Sequence, residues 1–357
     1  MRRRTRIAVT LPARSLEQAL REVLIARDAG ADFAEVRFDR WEGGERARAA
    51  ELFPSPLPLI GTIRSASEGG EGPDDPQVRA EWLGRLATMP FALLDAELAR
   101  DRPTEGIGNG PPWIGSRHFR AGSSVADVER FLTDAPKSCA FVKAVLPLSV
   151  GGFLEGLVPR YGRWSDGRTI VTTTGPSGPV ARLWGSALGQ PLVFAALPAD
   201  GNSPAVEPSQ VPADELRRAW SRSPPRGYAV VGRPLGHSLS PRIHTRWIRA
   251  HRHRAAFVPV EIAEPREFDQ ALTTGRDGRW AGWSVTHPWK IAAATAADER
   301  SESVRSTRVA NTLTFRDGRI RADLTDASAV ARRARELRSS GRWDGREALV
   351  VGTGGAA

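Results

Sequence analysis

Between residues 7 and 197 short apolar runs alternate with amphipathic stretches, and few architectures can absorb that rhythm. Runs at 7–10, 33–38, 59–63, 91–94, 113–115, 141–145, 169–173 and 192–195 predict eight strands, with helix-like segments such as 15–27 and 125–133 between them. Strands that alternate with helices pair in parallel, because the helix supplies the crossover. Eight such units fit an α/β fold of the TIM (β/α)8 barrel type, in which reactive groups gather at the C-terminal ends of the strands.

Polar residues collect at those ends. Glu35, Arg37 and Asp39 close the second strand, Arg64 and Glu68 follow the third, His118 follows the fifth, and Lys143 lies on the sixth. Lys143 is out of place by default, since it interrupts the apolar run Phe141-Val142-Lys143-Ala144-Val145-Leu146. Burying an ammonium is costly unless it is paired or gives up its proton, and a neutral lysine is a nucleophile able to form a Schiff base with a ketone. Of 51 basic residues only Lys137, Lys143 and Lys290 are lysines, so this chain writes arginine almost wherever a positive charge is enough. Arginine cannot do amine chemistry, which makes a lysine kept inside an apolar strand a catalytic candidate; a strand-end lysine snorkelling to water is the other reading. His118 is the one histidine before residue 237.

Composition narrows the class. A chain of 357 residues with 40% hydrophobic and 26% charged residues is long enough for two domains and is not of disordered type. Its one cysteine, Cys139, forms no internal disulfide, so a reducing cytoplasm is the expected setting. The best membrane candidate, 138–158, is interrupted by Lys143, Pro147 and Glu155 and lacks the ~20 apolar residues a span needs. The basic start Arg2-Arg3-Arg4-Thr5-Arg6 leads into a strand and not into a signal-peptide core. The net charge of +10 is scattered without aromatics interleaved on one face, which argues against nucleic acid and for small anionic substrates.

A last amphipathic helix at 213–220 and a linker at 221–226 end this half. A second α/β unit opens with a strand at 228–232, a helix from about 241, a strand near 257–262, a helix near 266–272 and a strand at 280–285. A hairpin around Arg316-Asp317-Gly318 and an Arg-rich helix over about 326–338 follow. The chain closes on a strand at 348–351 running into Gly352-Thr353-Gly354-Gly355-Ala356-Ala357, the opening of a dinucleotide-binding βα turn.

Five ordered motifs make residues 1–222 resemble type I 3-dehydroquinate dehydratase: Glu35-Val36-Arg37-Phe38-Asp39, Thr62-Ile63-Arg64-Ser65-Ala66-Ser67-Glu68-Gly69-Gly70, Ser116-Arg117-His118, Phe141-Val142-Lys143, and Gly178 with Arg182 and Gly185-Ser186. The resemblance implies that Lys143 forms an imine with the C3 ketone of 3-dehydroquinate and that His118 shuttles protons, oriented by Glu68. It further implies that Glu35, Arg37 and Arg64 contact ring hydroxyls and order the imine pocket, that Arg182 holds the substrate carboxylate bidentately, and that Gln210 closes over it. Two departures stand out. Phe119 directly follows the histidine, and the closing-loop pattern Ser-Ala-Pro-Gly-Gln reads Val206-Glu207-Pro208-Ser209-Gln210.

Residues 227–334 resemble the substrate-binding domain of shikimate dehydrogenase, through Ser238-Leu239-Ser240-Pro241, Val285-Thr286-His287-Pro288-Trp289-Lys290, Ala310-Asn311-Thr312 and Thr325-Asp326. The likeness implies substrate binding by Ser238, Ser240, Thr286 and Asn311 and proton transfer by a Lys290/Asp326 pair. Ser284 and Leu324 stand where that family usually has asparagines. Residues 335–357 resemble the first strand and glycine turn of an NADP-binding domain, with Gly352, Gly354, Gly355 and Ala356 at the cofactor.

The expectation is therefore a dehydratase that needs neither cofactor nor metal, fused to a partial, truncated shikimate dehydrogenase that uses NADP only if completed and is inactive as given. Partners are small anionic acids, without nucleic acid or membrane, and a homodimer is open. Two alternatives stay beside it: a second half that binds metabolites without reducing them, and a Schiff-base aldolase in the barrel.

Overall fold

The computed structural model describes residues 4–101, 110–198, 205–221 and 225–347. Its contacts divide into two units, Met1–Pro225 and Arg226–Ala357. The expected strand at 348–351, the cofactor residues Gly352, Gly354, Gly355 and Ala356, and residues 222–224 of the 221–226 linker lie outside the described residues.

In the first unit eight strands form one parallel sheet: β1 (Arg6–Leu11), β2 (Phe33–Arg37), β3 (Leu59–Thr62), β4 (Leu93–Glu97), β5 (Trp113–His118), β6 (Phe141–Pro147), β7 (Thr169–Thr174) and β8 (Leu192–Ala195). Their order is β7-β6-β5-β4-β3-β2-β1-β8, with β8 returning beside β1, so the sheet is a nearly closed barrel. The flanking helices begin where the sequence caps them. Ser15 accepts a hydrogen bond from Gln18 N at the start of Leu16–Asp28, and Ser124 and Asp127 form a capping box before Val125–Asp134.

The barrel interior is layered by the two-residue period of a strand. Ala8, Phe33, Ile60, Leu93, Ile114, Phe141, Ile170 and Leu192, one from each strand, form a buried apolar cluster that Phe194 of β8 joins from above. Two residues further along each strand the same face carries Thr10, Glu35, Thr62, Asp95, Ser116, Lys143, Thr172 and Phe194. One step more reaches Arg37, Arg64, Glu97, His118, Val145 and Thr174. The apolar layer is thus the floor, and the chemistry stands on it.

β4 and β5 overrun the ends expected from their apolar runs the most, by three residues each. β4 extends to Glu97 and β5 to His118, past expected ends at 94 and 115. Asp95 and Glu97 look like strand-ending residues in the linear sequence, but buried Arg64, Arg79 and Lys143 pair with them and let the strand continue inward.

The second unit has a six-stranded sheet of β9 (Gly227–Gly232), β10 (Ala256–Glu261), β11 (Gly282–Val285), β12 (Glu299–Arg300), β13 (Thr312–Arg316) and β14 (Arg319–Asp323), in the order β10-β9-β11-β13-β14-β12. β9 pairs in parallel with β10 and β11, whereas β13 pairs antiparallel with β11 and β14. Asp317 and Gly318 turn the β13–β14 hairpin with positive φ at both residues, the backbone a two-residue turn of the right hand requires. Val230, Leu235, Ile248, Ala255 and Phe257 pack into one buried cluster. A group of rings accompanies it, with Phe268 stacked on Trp289 at 5.1 Å and Trp283 edge-on to Phe315 at 4.9 Å. The short strand β12 was not expected from sequence; its two exposed residues carry no periodicity.

Candidate active site

A cavity of about 400 Å³ opens at the C-terminal end of the barrel, lined among others by Glu35, Arg37, Arg64, Glu68, His118, Lys143, Arg182 and Gln210. All eight candidates named for this half meet there. Lys143 is 4% exposed, its Nζ 2.5 Å from Asp95 Oδ2 and 4.2 Å from the centre of the Phe194 ring. β5 and β6 pair Ser116 with Lys143 and His118 with Val145, which aims the amine and the imidazole into one space.

Asp95 was not among the residues expected at the site from sequence. Its Oδ1 accepts from Arg64 Nη2 at 2.7 Å and from Ser116 Oγ at 2.5 Å, while Oδ2 takes the lysine. Burial works to raise its pKa, but Arg64, Lys143 and the bonds from Lys143 and Ser116 outweigh burial and hold the carboxyl far below its ordinary range. The signal was present: counting by two from the apolar Leu93 reaches Asp95. Arg64 is the hub of this network, adding Glu97 at 3.0 Å and Glu68 at 3.2 Å to its partners.

His118 is fixed twice by Glu68 Oε2, which accepts from the backbone N–H at 2.9 Å and lies 3.2 Å from ring Nδ1. Burial, then the Arg64 and Lys143 cations, push the imidazole well below its usual pKa and keep it neutral, although its side chain is 25% exposed at the mouth. Burial raises the Glu68 carboxyl, against the pull of Arg64. Glu68 reaches His118 because the chain coils back after β3: Gly70 N donates to Ser65 O and Gly72 N to Arg64 O. Gly69 has φ +83, and a Cβ on Gly70 would lie 2.2 Å from Arg64 O, so this coil requires both glycines.

Glu35 is held by the hydroxyls of Thr10 at 2.6 Å and Thr62 at 2.8 Å. Arg37 grips Asp39 with Nε and Nη2, both at 2.8 Å. Gln210 donates through Nε2 to Thr10 Oγ1 at 3.0 Å and leaves Oε1 buried without a partner among the described residues. Arg182 departs from the expected open fork. Its Nε donates to Phe194 O and its Nη1 to Thr173 O and Gly178 O, so each of the two forks, Nε/Nη2 and Nη1/Nη2, has one nitrogen committed to backbone carbonyls and Nη2 alone is left for a carboxylate.

The second unit has its own cavity of about 410 Å³, whose lining includes Ser238, Ser240, Ser284, Thr286, Lys290, Asn311 and Asp326. Lys290 Nζ donates to Asp326 Oδ2 at 2.7 Å. Asn311 is locked in place, its Oδ1 accepting from Thr325 N at 2.8 Å and its Nδ2 donating to Thr325 Oγ1 at 2.9 Å. All six candidates named for this half therefore converge. Leu324 is buried and gives the helix Thr325–Ser339 no side-chain cap.

Together these features define an α/β-barrel protein with an amine–imidazole pocket, joined to a mixed-sheet unit with a lysine–aspartate pocket. Residues 7–149 match the family described as type I 3-dehydroquinase, and residues 230–313 match the shikimate dehydrogenase substrate binding domain. The chain carries both domains. It is 24% identical over 374 residues to the bifunctional 3-dehydroquinate dehydratase/shikimate dehydrogenase of Arabidopsis thaliana, a chloroplastic protein, covering 98% of this chain and 61% of the relative. Against the NADP(+) shikimate dehydrogenase of Exiguobacterium it is 33% identical over 129 residues, 36% of this chain and 48% of that one. The chain thus spans about half the length of the single-function relatives it matches. In fold it resembles the dehydroquinate dehydratase and shikimate dehydrogenase structure from S. pombe, with a TM-score of 0.50 at 21% identity over 94% of this chain and 67% of that one. The two family matches favour a dehydratase-type barrel fused to a shikimate-dehydrogenase-type domain over an aldolase barrel.

Proposed function

We propose that the barrel dehydrates 3-dehydroquinate to 3-dehydroshikimate through an imine on Lys143. The observation that carries this is a buried amine held by Asp95, on the floor of the one cavity where a neutral, Glu68-bound histidine also points. Lys143 passes a proton from its ammonium to the neutral His118 imidazole, its free amine adds to the C3 ketone, and His118 returns that proton to the departing water, which leaves a protonated imine. The resulting protonated imine is an electron sink that acidifies the C2–H bond. His118 takes that proton, the C1 hydroxyl leaves as water with a proton from His118, and hydrolysis of the imine returns Lys143. Glu35, Arg37 and Arg64 order the ring, Gln210 Oε1 accepts from a substrate hydroxyl, and Arg182 faces the substrate carboxylate.

For the second unit the proposed ligand is a shikimate-type acid, held by Ser238, Ser240, Thr286 and Asn311, with Lys290 and Asp326 exchanging a proton at C3. NADP, when bound, would supply hydride; the residues expected to hold it lie outside the described residues. Among the described residues no helix is long and apolar enough to cross a membrane, and Cys139 is free and buried, which supports a reducing, cytoplasm-like compartment.

Borohydride reduction in the presence of 3-dehydroquinate should leave one adduct, on Lys143. Adduct on Lys137 or Lys290, or turnover that survives Lys143→Arg, would overturn the assignment, since a guanidinium cannot supply a neutral amine.

A further inference from the structure

The arginine that faces the substrate carboxylate already holds a carboxylate of the chain itself. Arg182 is 3% exposed, and with Nε and Nη1 given to backbone carbonyls its Nη2 is left to Glu207 Oε2 at 3.2 Å. Glu207 is seated there by its own turn. Ser209 N donates to Oε1 at 3.2 Å, Ser209 Oγ donates to Oε2, and the same hydroxyl accepts from Arg182 Nη1 at 3.2 Å. Ser209 fits against the arginine because residue 178 is glycine; a Cβ there would lie 2.1 Å from Ser209 Oγ. The far end of the turn is pinned as well, with Gln210 N donating to Glu207 O and Gln210 Nε2 to Thr10.

We propose that Glu207 is an internal competitor for the substrate's carboxylate, a residue that neutralises Arg182 until an anionic ligand displaces it and that thereby sets the barrel's affinity for carboxylate-bearing molecules. This rests on the reading that Arg182 receives a carboxylate in the proposed dehydratase. A buried guanidinium without a counter-charge is costly, so the empty pocket gains from Glu207. Once a ligand carboxylate arrives, two like charges face one nitrogen and one must leave. Glu207 is the one that can, because its side chain is 29% exposed and reaches water by rotating outward. The exchange sacrifices a charge-assisted hydrogen bond each time a ligand binds, which corresponds to about a tenfold loss of affinity or more.

The test uses the whole chain and the near-isosteric Glu207→Gln, which keeps an acceptor for Ser209 and removes the charge, with Glu207→Ala beside it. Both should lower KM for 3-dehydroquinate about tenfold while kcat changes far less. Calorimetry with quinate should show a matching gain in affinity, and methyl quinate, which lacks the charge, should show none. A KM that stays put or rises in Glu207→Gln would overturn the proposal, as would equal tightening of quinate and its methyl ester, because that result means the substitution merely enlarged the pocket. Absence of turnover by the unsubstituted chain would count against the dehydratase reading alone; the quinate titration tests the exchange without turnover.

Discussion

At the scale of single residues the first half of the chain is governed by compensation of buried charge. Lys143, Arg64, Asp95 and Glu97 are each 4% exposed or less, and any of them alone would be costly there. Together they pair off in sign beside the cavity, and burial, helped by the Arg64 and Lys143 cations, keeps the His118 ring neutral. The sign of the pH effect follows. A histidine whose pKa is depressed stays unprotonated, and competent as a base, below the ordinary ~6.5, so the acid limb of kcat/KM should fall at lower pH than a solvent-exposed histidine would give. His118→Ala should still form the borohydride-trapped adduct yet turn over at least ~10²-fold more slowly, with that acid limb gone. A variant with near-normal kcat would move the proton shuttle to another group. Asp95 shows the limit of reading residues singly: the strand period places it on the interior face, but only the fold brings it to a lysine 48 positions on.

Among the elements, the strands were the most legible part, since eight apolar runs at barrel spacing correspond to eight observed strands. What the runs hid was strand length at the business end, where β4 and β5 continue through charged residues that propensity would exclude. The coil after β3 is the most demanding local structure, because Glu68 reaches His118 only if Gly70 passes close to Arg64 O. Gly70→Ala should therefore destabilise by about 1–3 kcal/mol, in the range of other overpacked sites, and should slow the dehydratase through displacement of Glu68. Circular dichroism melts together with kcat check this; a variant with normal kcat would show that the coil's path does not position Glu68.

For the molecule as a whole, the division into two contact units implies that the two pockets can be altered separately. Lys143→Ala should leave the calorimetric affinity for shikimate within about twofold, and Lys290→Ala should leave the dehydratase kcat within about twofold, as expected for sites without shared partners. A larger cross-effect in either direction would show energetic coupling between the units. The amino-acid sequence by itself determined the barrel count, the two-part organisation, the hairpin at Asp317-Gly318 and which lysines stand out as candidates, because strand period, turn chemistry and the scarcity of lysine are local or compositional facts. Only the tertiary structure decided which charges neutralise which. Asp95 on Lys143 and Glu207 on Arg182 depend on strands and loops 48 and 25 residues apart in sequence meeting at one cavity, and the electrostatics of burial acts on that proximity and not on the order of residues along the chain.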